Sequence, residues 1–494
     1  MAQTKPTISA PLLQEGTGRP TSDAPFPWLQ TESSCKNLFV HLGPFLGCGF
    51  AFLLPLSLSA TYFALIPLIV LWLGAYARVL GAELAGIGKV GAPFLFFIAA
   101  YAFSAPFGVD PMRSLRAIPA TLFFALTIVV VRQLVRDSGS KRILIALLLG
   151  QALAATHSVL AASFPETVTP LFLGAVTESG QLGLVTIILA GLAFSGDRNA
   201  SREGSALLTW QTFAASALCA TLLIAPSIFP AHLKGSLIFW SSLFAGLGFA
   251  LWHAFLLIKE TFFHAEHAAS GHALISRQCG RLLLLGILPL LLAALVINLK
   301  RGPWMGVFIG GSIFLLGFKP KLLLPLLGAV LAAYFTLAPV RQRIAEIPEH
   351  FYITGGRSVM WDIGVELATR YPLGVGLRNS RFLQSFSPDI PASLNHFHNN
   401  FINILVEGGW LALACFVWWL INIARTALQR FGPASEPVLA ASIGAACLSW
   451  QIAGLVEYNW GDSEVRILVY LLLGVLSAIT FQRSSQSGTS LTRG

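Results

Sequence analysis

Ser393-Leu-Asn395-His396-Phe-His398-Asn399-Asn400-Phe-Ile-Asn403-Ile-Leu-Val-Glu407-Gly-Gly409 leads straight into an apolar run that continues to residue 424. A polar loop carrying two histidines becomes, within a few residues, a helix long enough to cross a bilayer, which takes ~20 apolar residues. The same kind of run recurs along the whole chain. Apolar residues make up 55% of the 494 and charged residues 11%, too little polar surface for a soluble domain. The runs lack strand alternation, which excludes an outer-membrane barrel. The fold expected is an all-α polytopic membrane protein.

Fourteen runs are candidates, near 38–56, 60–78, 91–104, 115–131, 143–163, 180–195, 206–226, 236–258, 281–298, 303–318, 322–338, 400–424, 437–456 and 465–482. Some are short against ~20 residues, so about 12–14 spans are expected. Charge orients them. With the N-terminus inside, Arg78/Lys89, Arg132/Arg136/Lys141/Arg142, Arg198/Arg202, Lys259/Arg277, Lys319/Lys321, Arg425/Arg430 and Arg483 all fall on inner loops. Asp110, Glu166, Glu178, Glu457, Asp462 and Glu464 fall on outer ones, as the positive-inside rule asks. The formal charge of +10 therefore reflects anchoring of helices rather than a nucleic-acid partner. Six scattered cysteines without a CxxC pair imply neither a zinc site nor a disulfide framework.

This divides the chain into a polar, disordered cytoplasmic tail (1–34), a first block of eleven membrane helices (35–338) and an outer loop subdomain (339–399). C-terminal membrane helices (400–482) and a cytoplasmic tail (483–494) complete it. The tail 1–34 has no signal-peptide core. No internal repeat of the kind that builds secondary transporters is visible. His264, His267 and His272 have a spacing that metal would accept, but they stand on the inner side, where a solvated loop is the plainer reading.

Outer cations break the charge rule, and they mark where chemistry belongs. Arg113 and Arg116 lie between spans 3 and 4, and Lys300-Arg301-Gly-Pro-Trp304 joins spans 9 and 10. The segment 339–399 holds Arg341, Arg343, Arg357, Arg370, Arg378, Arg381, His350, His396 and His398. Loops longer than ~15 residues in a compact protein are usually functional. Arg357 opens a short amphipathic helix with Val359, Met360, Ile363 and Leu367 on one face, ended by Pro372 and suited to the membrane surface. Glu366 and Arg370, four apart, make an ordinary helix salt bridge. Gly374-Val-Gly376 permits close backbone approach or is a plain loop.

Asn395 is the expected cap of the helix that enters the membrane, which puts His396 and His398 in its first turn, where the helix dipole favours neutral imidazole. His396, Asn400, Asn403 and Glu407 then run down one face, Glu407 lying ~12 Å beyond Asn399 at ~1.5 Å per residue. An ionisable group at that depth must face the bundle interior or a wet cavity. Interhelical hydrogen bonding explains Asn400 and Asn403 as well as chemistry does, and Gly408-Gly409 reads as close helix packing. Arg301 is either an interfacial snorkelling residue or a phosphate fork. Charge-assisted bonds are worth ~1.5–3 kcal/mol each, so two arginines can neutralise a leaving diphosphate. No acidic DxD metal motif stands in the outer loops.

Four pieces in this order resemble the O-antigen ligase superfamily of bacterial inner-membrane glycosyltransferases, which includes O-antigen polymerases. They are Lys300-Arg-Gly-Pro-Trp-Met-Gly306, Gly356-Arg-Ser…Trp361…Pro372-Leu-Gly-Val-Gly376, His396-Phe-His-Asn-Asn-Phe…Glu407-Gly-Gly, and Glu457-Tyr-Asn-Trp-Gly-Asp462-Ser-Glu464. The resemblance implies an active site facing the periplasm, and the charge rule with an even number of spans puts both termini on the cytoplasmic side. The resemblance also implies glycan transfer from an undecaprenyl diphosphate-linked donor to lipid A–core or to a second lipid-linked glycan, without metal or cofactor. Arg301 and Arg357 are then diphosphate binders, and His398, which directly precedes Asn399, is the base, with His396 as fallback. Glu457, Asp462 and Glu464 would orient sugar hydroxyls or serve only as membrane-edge solvation. A single base without a carboxylate nucleophile predicts inversion at the anomeric centre. A ligase acting on lipid A–core leads. An O-antigen or exopolysaccharide polymerase follows, and a polysaccharide transporter or flippase stands as the reading from another class.

Overall fold

The computed structural model describes residues 27–138, 140–168, 175–195, 202–229, 233–263, 277–352, 356–380, 395–428 and 436–487. Helices are the only regular elements among them. Uncharged apolar runs fold this way because a helix satisfies its own backbone N–H and C=O groups where no water can. Each of the fourteen apolar runs falls on a helix. Among the described residues ten helices are long and apolar enough to cross a membrane, or up to eleven if the pair Pro320–Thr336 and Ala338–Glu349, bent by 90°, counts as one span. That is below the expected 12–14. Pro437–Ala453 has only 17 residues, while Pro27–Leu53 and Arg301–Phe318 begin with polar residues that dilute their apolar stretches. The first helix starts at Pro27, eight residues inside the expected tail, and the last runs to Ser487. Residues 1–26, the segment of His264, His267 and His272, and Arg381 lie outside the described residues.

Two packing arrangements position the site. Helix Arg301–Phe318 lies hard against Pro437–Ala453 because Gly306 and Gly310 face it. A Cβ at Gly306 would stand 2.4 Å from the Ser449 carbonyl oxygen, and one at Gly310 would stand 2.8 Å from that of Ala445. Small residues four apart let membrane helices approach in this way. The N-terminus of the first helix, Arg301, is thereby carried to the loop 454–462 that follows the second. At the opposite end of the bundle, buried Arg132 pairs with Glu83, which also lies 3.7 Å from Arg136.

The second arrangement is a helix break. Asn400–Leu428 is interrupted at Gly409, whose φ of 71° and ψ of −175° no helix contains. The freed backbone groups are taken by the segment after Pro372. Val375 N–H donates to Val406 O (2.8 Å), Gly376 N–H to Glu407 O (2.9 Å), and Trp410 N–H to Pro372 O (3.2 Å). Gly374, at φ 88°, allows this approach, since a Cβ there would meet Glu407 O at 2.5 Å. The close-approach reading of Gly374-Val-Gly376 is the one the structure adopts. Gly408 packs on the Tyr101 ring, while Gly409 breaks the helix.

The long connection folds into short helices, Ala338–Ala345, Ile347–Tyr352 and Arg357–Arg370. Arg357–Arg370 ends just before Pro372 as expected. It buries Met360 and Leu367 against Val375, Phe397 and Val406, with Ile363 packed alongside. Its apolar face is thus shared with the helix that carries Val406. Arg370 and Glu366 form an exposed pair at 2.9 Å.

Candidate active site

The cap of Asn400–Leu428 is Asn399, not Asn395. The Asn399 Oδ1 accepts from Phe401 N–H (2.8 Å) and Ile402 N–H (3.1 Å). His396 and His398 therefore precede the helix rather than occupying its first turn, and His396 does not continue the face of Asn400, Asn403 and Glu407. Burial of Phe397 decides this. It fills the small core beneath Arg357–Arg370, its carbonyl accepts from Trp361 Nε1 (3.2 Å), and its N–H points to Asn403 Oδ1 (3.4 Å). His398 then takes φ 49°, a left-handed conformation that histidine tolerates better than most residues.

Asparagines bind this lead-in segment to the loop 454–460. Asn399 Nδ2 donates to Leu455 O (3.0 Å), Asn400 Nδ2 donates to Asn459 Oδ1 (2.7 Å), and Asn400 Oδ1 accepts from Trp460 N–H (2.9 Å). Asn400 is thus a structural clasp, and Asn403 holds Phe397. The clasp sets Glu457 beside His398, with Nδ1 and Oε2 3.6 Å apart. The other carboxylate oxygen of Glu457 lies 3.1 Å from Arg357 Nη2, and Arg357 Nε donates to Val456 O at 3.0 Å. Burial pushes the Glu457 carboxyl upward, but the His398 interaction and the Arg357 charge outweigh it, so the group is held below its ordinary range and is ionised at neutral pH. A carboxylate facing Nδ1 leaves Nε2 as the nitrogen able to accept a proton.

His396 stacks edge-on to His398 with ring centroids 4.3 Å apart. Its Nδ1 accepts from the His398 N–H at 3.3 Å. Burial, reinforced by the His398 charge, lowers its pKa to about 4, so it is neutral at pH 7. Its Nδ1 is occupied by backbone and His398 stands nearer the carboxylate, which makes His398 the better placed of the two.

Arg301 arrives from the other side. A Cβ on neighbouring Gly302 would lie 3.4 Å from Glu457 Cγ. Arg301 Nη2 is 3.5 Å from Glu346 Oε2, which Arg343 Nη1 also approaches at 3.1 Å. Arg343 Nε donates to the carbonyl of Leu299 (3.2 Å), itself at φ 52°. Lys300, Arg301, Arg343 and Arg357 against Glu346 and Glu457 leave an excess of two positive charges beside two histidines. Backbone strain at Leu299 and His398, on either side of this cluster, is the kind that packing maintains at functional sites.

The remaining expected residues do not join the cluster. Glu407 is buried against the segment after Pro372, its Oε1 accepting from Ser380 Oγ at 2.7 Å. Asp462 is turned toward Thr177, Glu464 and Arg466, with Glu457 a weaker through-space neighbour. Burial, then the Glu464 charge, raises its pKa to about 6. Sequence reading counted Arg343 among the outer arginines without singling it out, and passed over Glu346. The pair stands three apart, Arg343 in the last turn of Ala338–Ala345 and Glu346 capping its end, a spacing that by itself reads as an ordinary helix salt bridge.

No curated protein matches the chain. The family model described as O-antigen ligase matches residues 286–417, a stretch that carries Arg301, Arg343, Arg357, His396 and His398 and stops short of Glu457. That match, over the residues the fold gathers at one end of the bundle, supports the chain as a member of the O-antigen ligase superfamily.

Proposed function

We propose that this chain is an inner-membrane glycosyltransferase. It moves a glycan from undecaprenyl diphosphate to an acceptor hydroxyl at the periplasmic face, and acts as an O-antigen ligase on lipid A–core. The observation that carries the reading is the placing of Glu457 between Arg357 (3.1 Å) and the His398 imidazole (3.6 Å), with Arg301 alongside. In the reaction the acceptor oxygen attacks the anomeric carbon while the bond from that carbon to the diphosphate oxygen breaks. The hydroxyl proton passes to Nε2 of His398, a contribution of ~10²–10⁴ in rate for a well-placed base. Glu457, facing Nδ1 at 3.6 Å, stabilises the imidazolium that forms, the electrostatic part a carboxylate plays behind a histidine base. Undecaprenyl diphosphate departs with its new negative charge facing Arg301, Arg357 and Arg343. Direct displacement with one base inverts the anomeric centre.

A transporter would place its polar groups at the bilayer midplane on paired broken helices, whereas these groups gather at one end. The test incubates purified protein with a lipid-linked glycan and a lipid A–core acceptor. Transfer by the wild type and its loss in His398→Ala are expected. A ladder of repeats without core lipid would replace ligase by polymerase, and full transfer by His398→Ala would end the assignment of the base.

A further inference from the structure

The turn that presents Arg301 is strained and is held from several sides. Helix Leu288–Ile297 ends as Asn298 N–H donates to Ala294 O (2.9 Å) and Leu299 N–H to Val296 O (3.2 Å), and Leu299 then takes φ 52°. Leucine avoids that left-handed conformation, so its surroundings must maintain it. Trp304 Nε1 donates to the Leu295 carbonyl (2.6 Å), and Arg343 Nε donates to that of Leu299 (3.2 Å). A third hold comes from a distant part of the chain. Glu178, in the first turn of helix Ala175–Ser195, is 6% exposed. One of its carboxylate oxygens accepts from Asn298 Nδ2 at 3.2 Å and the other from Ser158 Oγ at 2.6 Å.

A carboxyl group is costly to bury unless donors reach its oxygens, and here a donor reaches each of them. A glutamine in the same place has one oxygen to offer to two donors. The preceding residue, Thr177, hydrogen-bonds Asp462 at the end of the loop 454–462, which also carries Glu457 beside His398. Helix Ala175–Ser195 packs closely on what lies around it. A Cβ at Gly180 would stand 3.2 Å from Val465 Cγ2, and one at Gly183 would stand 3.9 Å from Pro303 Cβ, two residues beyond Arg301. The outer end of this helix is thus joined to both halves of the candidate site, to the Arg301 turn through Glu178 and to the Glu457 loop through Thr177. Such mounting matters because a misplacement of about 1 Å in a binding group can cost an order of magnitude or more.

We propose that Glu178 is a positioning residue for the donor site: through Asn298 it fixes the strained turn that aims Arg301 at the diphosphate. This rests on the transferase reading, in which Arg301 binds the donor, and the test reads the two apart. The full chain in phosphatidylcholine nanodiscs is titrated with undecaprenyl diphosphate, and its melting temperature is recorded. Asn298→Asp sets a second carboxylate against Glu178 and should weaken binding about tenfold, as for loss of one charge-assisted contact. Adding Glu178→Gln exchanges donor and acceptor across the same bond, keeps the wild-type net charge and should restore affinity to within about threefold. Asn298→Ala, which adds no charge, should also weaken binding. In the Arg301→Ala background neither change at Asn298 should add more than about twofold, because the group it misplaces is gone. Glu83→Gln, which breaks the buried pair with Arg132 at the opposite end of the bundle, should lower the melting temperature and leave affinity unchanged. Wild-type affinity in the Asn298 variants, no recovery on exchange, an equal loss in Glu83→Gln, or a further tenfold loss in the Arg301→Ala background overturns the proposal. Arg301→Ala binding like the wild type strikes the donor role of Arg301 instead. Phenylglyoxal labelling of Arg301, read by peptide mass spectrometry, then decides for Glu178. Faster labelling in Asn298→Asp than in the wild type and the exchange supports the proposal, and equal rates overturn it.

Discussion

Replacing Glu457 by glutamine tests whether the His398–Glu457 pair acts in the reaction. The substitution keeps the side chain's size and an oxygen for Arg357 but removes the charge that faces Nδ1 of His398 at 3.6 Å. That charge matters little while the imidazole is neutral and most when the acceptor proton has arrived. With an effective dielectric near 20, Coulomb's law gives an upper bound of about 4–5 kcal/mol for the imidazolium form at this separation. Both side chains retain some exposure, 26% for His398 and 19% for Glu457, so the realised value is smaller. A loss of about 3–4 kcal/mol corresponds to a fall in rate of about 10²–10³-fold. Because Arg357 loses only the charge of its partner and is not itself removed, donor binding should hold or tighten slightly. The assay is single-turnover transfer of a lipid-linked glycan, with donor affinity measured separately and Glu457→Gln also placed in the His398→Ala background. If Glu457 works through His398, the double variant is no slower than His398→Ala alone. A further fall of 10²-fold in that background, or a tenfold loss of donor affinity in Glu457→Gln, would refute the reasoning.

Arg301→Ala and Arg357→Ala should each weaken donor binding by about 1.5–3 kcal/mol, readable by titration with undecaprenyl diphosphate, with lysine restoring only part of it. Gly409→Ala should destabilise the protein by at least about 2 kcal/mol in thermal unfolding, because φ is 71° and its Cβ would meet Pro372 O at 2.4 Å. His396, neutral in the fold with a pKa of about 4 against 6.5 unfolded, makes stability fall as pH drops from about 6.5 toward about 4, since the unfolded chain binds the extra proton. The full effect is about 3 kcal/mol, and His396→Gln should flatten the melting temperature across that window.

All fourteen apolar runs and the helix ending before Pro372 were legible in the amino-acid order, and so were Arg301, Arg357 and the two histidines as polar groups that call for a partner. Each depends on local periodicity, on a proline's covalent geometry or on a cation placed against the charge rule. Local reasoning went wrong at Asn395, an equally good cap by residue type. Asn399 caps the helix because Phe397 is drawn into a core made by Met360, Leu367 and Val375, tens of residues away. The span count fell for the opposite reason: length and apolarity are local, but they tell a helix from a coil better than a span from a shorter helix.

The sequence by itself determined an all-helical membrane chain and the residue types of its polar end, because helix formation in lipid and charge placement are set within a few residues. Only the tertiary structure decided the partnerships. Glu457 joins Arg357 to His398 because asparagines 399 and 400 hold the loop 454–460, and the Arg301 turn is held from outside because Glu178 accepts from Asn298. Those contacts cross from about 60 to 120 residues of chain, where no periodicity or motif spacing carries information and packing alone sets which polar groups meet.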